Sequence, residues 1–169
     1  MKKINYNQPG FSLIEVLAVL FIVSVSLIGL VSLIIQNIQA QTINKNNLIA
    51  YNLAQEGVEL IRQVRDSNWR ANIAYDTNLA EDTYYMDYLM DTPMTALGDS
   101  GKIYLHNGFY INLKGGESGA VPTIFSREIF LDKPVYEGNP LQVRVLVTWE
   151  DRDRPYRHEL RTLLFDWIN

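Results

Sequence analysis

His106 and His158 are the only histidines in this 169-residue chain, and the first candidates for metal binding or proton transfer. Neither has a Cys, Asp or Glu partner at metal-ligand spacing. Glu159, next to His158, would face the opposite side of a strand. Six acids (Asp76, Glu81, Asp82, Asp87, Asp91 and Asp99) fall within residues 71–101, which hold no Lys or Arg. Acid clusters can bind calcium, but this spacing matches no EF-hand loop, and a solvated acidic loop is the default reading. There is no cysteine, so disulfides and thiol chemistry are excluded. No P-loop or nucleophile motif is present, and Gly115, Gly116 and Gly119 lie between strands rather than before a helix. The sequence therefore predicts no catalytic residue, no metal and no cofactor. What remains is Gly10-Phe11-Ser12-Leu13-Ile14-Glu15, where the Pro9-Gly10 break meets a lone carboxylate and a long apolar run.

Glu15 is the one charged side chain in the twenty-five residues 11–35. A helix of that length reaches roughly 37 Å, enough for a hydrocarbon core of about 30 Å. Lys2 and Lys3 precede it, which places the amino terminus in the cytoplasm and the remainder outside. A secretory signal peptide has a shorter apolar core and a small-x-small cut site, to which Ile38-Gln39-Ala40 is a poor match. A core helix of a soluble protein is not this long without charge. On hydropathy alone, a plain membrane anchor is favoured. A carboxylate at the bilayer centre costs about 2.5–3.5 kcal/mol, and less near a helix end, where it can snorkel. Glu15 is thus a mild liability unless a cation meets it.

Gly10-Phe11-Ser12-Leu13-Ile14-Glu15-Val16-Leu17, after a short basic leader, closely resembles the type IV prepilin signal. The resemblance implies that a membrane prepilin peptidase cuts between Gly10 and Phe11 and that Phe11 is then N-methylated. It implies for Glu15 an assembly role, pairing with a terminal ammonium to set register between subunits. A glycine before the cut suits a protease cleft, because no Cβ obstructs the backbone. The implied partners are the peptidase, other pilin or pseudopilin subunits packed through the N-terminal helix, and the inner (cytoplasmic) membrane. The implied precursor is single-pass with its amino terminus inside. After assembly it becomes part of an extracytoplasmic or cell-surface filament. Type IV pilins often carry a proline in the second half of the apolar helix. This chain has none between Pro9 and Pro93, leaving Gly29 and Ser32 as the soft positions.

Helix-compatible sequence runs on from Ile35 to about Asp66, and residues 48–66 read as an amphipathic helix. Ile49, Leu53, Gly57, Leu60, Ile61 and Val64 fall within about a third of the helix circumference. Asn52, Gln55, Glu56, Glu59, Arg62, Gln63 and Asp66 cluster opposite, with favourable spacings at Glu59–Arg62 and Arg62–Asp66. Residues 36–47 are rich in Asn, Gln and Thr and read as a weaker stretch or bend. Residues 54–69 are similar to minor pilins and minor pseudopilins more than to a major pilin.

The carboxyl-terminal part reads as β. Asn107-Gly108 between strands 103–106 and 109–113 is a strong hairpin signal. Strands follow at 123–131, 141–150 and 158–165, with a charged turn at 151–155, and short connections favour an antiparallel meander. Residues 86–90 read as a short helix. Arg144, Arg152, Arg154, Arg157 and Arg161 interleave with acids, which fits a salt-bridged edge. The net charge of −4 adds to the case against a nucleic-acid partner.

The expected architecture is α+β: a long N-terminal helix, half membrane and half amphipathic, packed on a C-terminal antiparallel sheet in the pilin-like plan. Its parts are a leader at 1–10, a transmembrane assembly helix at 11–35, an amphipathic continuation at 36–70, an acidic variable connector at 71–101 and a β-domain at 102–169. The function that the resemblance implies is a structural, non-enzymatic subunit, minor in type, of a type IV pilus or type II secretion-like pseudopilus. The alternative is an unprocessed single-pass membrane protein that displays an extracytoplasmic β-domain for ligand binding.

Overall fold

The computed structural model describes residues 10, 12–90, 93–95, 101–112, 119–133 and 140–166. Expectations that rest on residues 1–9, Phe11, Asp91, Asp99, Gly115, Gly116 or Trp167 lie outside the described residues. The chain divides into two compact units, residues 1–45 and 46–169.

One helix, α1, spans Leu13–Arg70, 58 residues. It passes through 36–47 without interruption, the stretch that reads as either a weaker helix or a bend. That stretch has many poor helix formers but no Pro or Gly, and Thr42 turns its hydroxyl onto the Ile38 carbonyl at 3.1 Å. In the first unit the apolar residues of α1 from Leu13 to Ile35 are exposed on every side.

In the second unit α1 behaves as its stripe predicts. Leu53, Gly57, Leu60, Ile61 and Val64 are buried, and Asn52, Gln55, Glu59 and Gln63 are exposed. Glu59 pairs with Arg62 at 2.6 Å. Asp66 pairs with its neighbour Arg65 at 2.8 Å rather than with Arg62. The helix ends in a Schellman motif. Asn72 takes φ 57°, Asn72 N–H donates to Trp69 O at 2.9 Å, and Ile73 N–H donates to Asn68 O at 3.1 Å. The buried Asn68 amide then donates to Tyr75 O and Thr77 O at 3.0 and 2.8 Å, fixing the start of the connector.

Among the described residues the sheet has seven strands, all paired antiparallel: β1 Asp82–Tyr85, β2 Met94–Thr95, β3 Lys102–His106, β4 Phe109–Asn112, β5 Val121–Asp132, β6 Leu141–Asp151 and β7 Arg154–Leu164. It is a meander only over β5–β6–β7. β5 is long enough for its other edge to hold β1 near Ile129–Leu131 and β3 near Val121–Ser126. The register slips between the two parts of the β3–β5 ladder, and Thr123 Oγ1 mends it by donating to Ile103 O at 2.7 Å and accepting from Phe125 N at 3.2 Å. Residues 86–90 form a turn, not a helix. Asp87 accepts the Met90 N–H through its carbonyl and the Leu89 N–H through its side chain, at 3.1 and 2.9 Å.

The core lies between α1 and one sheet face. Leu53, Ile61 and Val64 meet Ile129, Leu131, Val143, Val145 and Val147, which alternate along β5 and β6 as period-two reading requires.

Candidate functional site

The amino-terminal signal sits on the first turn of α1. Ser12 precedes the helix in the position that Ser favours, and its carbonyl accepts from Glu15 N at 3.0 Å and Val16 N at 3.2 Å. Glu15 therefore lies in the first turn, where the partial positive charge of the helix start favours a carboxylate. Gly10 is exposed, with nothing within 4 Å of where a Cβ would be. Phe11, the residue expected to carry the methyl group, lies outside the described residues.

Beyond Glu15 the helix is built for apolar surroundings. The hydroxyls of Ser24, Ser26 and Ser32 donate to the carbonyls four residues back, at 2.7, 2.8 and 3.0 Å. No polar side chain in this run is left needing water, which a hydrocarbon environment demands. Gly29 has open space around it. Among the described residues α1 is the one helix long and apolar enough to cross a membrane.

The groups singled out for metal or polar chemistry are dispersed. His106 Nε2 contacts Asn107 Nδ2 at 2.9 Å, while the His158 ring packs edge-on against Tyr51 at 5.6 Å. Asp76 pairs with Lys133 at 2.6 Å, and Glu81 accepts the Lys133 N–H at 3.2 Å. Among the described residues no three His, Asp or Glu form a metal-binding group. Arg144 stacks over Phe130 at 3.8 Å. Arg161 pairs with Glu159, and that hydrogen bond holds the Glu159 carboxyl below its usual range.

A second cluster was not foreseen. Arg127, on β5, is fully buried beneath α1. It donates from Nη1 to Leu53 O at 3.1 Å and from Nη2 to Met86 O at 2.6 Å and Asn112 Oδ1 at 3.2 Å. Glu56 Oε2 lies 3.1 Å from Nη1. Burial lowers the guanidinium from its usual range, and Glu56 first, then Asp87, push it back up. The signal was present in the sequence. Phe125, Arg127, Ile129 and Leu131 alternate along one strand, so the inward face of the strand had to contain an arginine.

The prokaryotic N-terminal methylation motif matches residues 5–31. No curated protein and no solved structure matches the chain. The matched span covers residues 5–10 of the leader, ending in Gly10, then Phe11, Glu15 and most of the apolar run. The chain thus carries a type IV pilin-like prepilin signal. It does so on an α+β, pilin-like arrangement of one long N-terminal helix and a C-terminal antiparallel sheet. The motif and the apolar helix together fit a membrane-anchored precursor that is processed in the manner of pilins and pseudopilins.

Proposed function

We propose that this protein is a minor structural subunit of a type IV pilus or of a type II secretion-like pseudopilus. Prepilin peptidase cuts it between Gly10 and Phe11, and Phe11 is N-methylated. The mature chain leaves the cytoplasmic membrane by packing its helix against those of other subunits. The observation that carries the reading is the methylation motif at residues 5–31 in register with a helix whose apolar side chains from Leu13 to Ile35 are exposed among the described residues. Lipid covers that surface before assembly, and neighbouring helices cover it afterwards. In this reading Glu15, which lies in the first helical turn, meets a neighbour's terminal ammonium and sets the stagger. The assignment to a minor subunit rests on the resemblance of residues 54–69.

Mass spectrometry of the membrane-extracted protein tests this. The expected mass is that of a chain starting at Phe11 with one added methyl group. An intact Met1, or a start near Ala40, would rule the subunit out. Glu15→Ala is expected to be cut normally yet to enter filaments poorly. Normal incorporation would remove the register role from Glu15 and leave the cleavage assignment standing.

A further inference from the structure

We propose that residues 86–90 form a strap that Arg127 latches against α1 and β4, and that this strap can open while the rest of the sheet stays folded. The proposal does not depend on the filament reading. The strap belongs to no strand: it leaves β1 after Tyr85 and turns at Asp87. Two buried polar contacts tie it to the sheet. Met86 O accepts from Arg127 Nη2 at 2.6 Å, and Asp87 Oδ2 accepts from Asn112 N at 2.9 Å. Met86 and Asp87 are 2% exposed, whereas Tyr88 and Leu89, the next two residues, are 49% and 55% exposed. Met86 belongs to the core cluster and Met90 packs partly buried against it, so the strap is pinned at both ends and its crest stands in solvent, where the Tyr88 ring leans on Phe109 at 5.4 Å.

The partners of Arg127 divide in two. Leu53 O, Glu56 and Asn112 Oδ1 belong to α1 and β4, which the core fixes. Met86 O belongs to the strap, and the Asp87 charge adds to the attraction. When the strap lifts, Met86 and Met90 leave the core cluster, and the guanidinium keeps its carboxylate and two carbonyl-type acceptors while water replaces Met86 O. No isolated charge is left behind, which is the condition for local rather than global opening. A guanidinium suits this latch because its rigid fork reaches helix, strap and strand together, which an ammonium on a flexible stem cannot do. Opening withdraws Tyr88 from Phe109, so the latch also sets whether that exposed aromatic surface exists.

Residue-resolved amide exchange on the full-length chain in detergent tests the latch. Arg127 touches neither the Leu89 nor the Asn112 amide, both of which donate to the Asp87 carboxylate at 2.9 Å. In Arg127→Met these two amides are expected to exchange at least tenfold faster, with the amides of Val145 and Val147 on β6 unchanged. Should Arg127→Met not fold, Arg127→Lys decides by the same readout, because it keeps the charge beside Glu56 but not the fork. Unchanged Leu89 and Asn112 amides would overturn the latch. So would exchange on β6 that rises in step with them, because the strap would then open only with the whole domain.

Discussion

Gly57 shows what one missing Cβ does where α1 crosses the sheet. A Cβ there would lie 2.9 Å from Val145 Cγ1, 3.2 Å from Val145 Cγ2 and 3.4 Å from Arg127 Cδ. Helix propensity alone favours alanine over glycine by about 1 kcal/mol. Against that, Val145 is fully buried and stiff at χ1, so its methyls cannot swing aside. Overpacking of this kind costs typically 1–3 kcal/mol. The overpacking term is the larger, and Gly57→Ala is expected to lower the unfolding free energy by about 1 kcal/mol in urea titrations. A more stable variant would mean that helix and sheet slide apart freely. The helical stripe placed Gly57 on the buried face from sequence alone, because 100° spacing needs no knowledge of the partner. Arg127 escaped that reading for the opposite reason. Its partners come from α1, the strap and β4, and the pairing of elements distant in the chain is not encoded in any local window.

At the scale of elements, what could be read from sequence follows the range of the interaction. The course of α1, the Asn107-Gly108 turn and the alternation on β6 are local patterns, and each appears in the structure. The order of strands is not local: β5 serves three neighbours, and nothing in 121–132 announces that. The start of β7 was also hidden. Arg152 and Asp153 take φ 53° and 60°, a two-residue hairpin turn without glycine, so the strand begins at Arg154 rather than 158. Left-handed backbone costs roughly 1–2 kcal/mol for ordinary side chains and little for Asn or Gly. Replacing Arg152 by Asn and Asp153 by Gly should therefore raise stability by about 1 kcal/mol, seen as a higher melting temperature. No gain would mean that the two charged side chains themselves stabilise the turn. β7 pairs only with β6 among the described residues, and it is an edge of eleven residues. Pro155, Arg157, Glu159 and Arg161 guard it as edge strands are guarded, which disfavours strand addition.

On the scale of the whole molecule, the apolar residues divide into two populations. Those from Leu13 to Ile35 are exposed, and the core cluster begins only at Ile49 and Ala50. That partition is visible in the sequence as a continuous apolar run followed by a periodic one, and it corresponds to the two units of residues 1–45 and 46–169. The physical consequence is that the apolar run and the folded domain draw stability from different surroundings, an external apolar environment for one and its own packed interior for the other. A chain beginning at Asn46 retains every side chain of the core cluster, the Schellman end of α1, and Arg127 with all its partners. It loses only the helical turns that precede Ile49, and a new helix end frays by about one turn. Leu53 and Gly57 lie beyond that reach, so the contacts of α1 with β6 survive. The fragment is therefore expected to be soluble without detergent and to unfold in one cooperative transition. Its midpoint should fall within about 4 °C of the domain transition in the full chain, roughly the shift that 1 kcal/mol produces at this size. A fragment that aggregates, or melts far below the full chain, would show that the membrane half of α1 contributes to the fold as well as to anchoring.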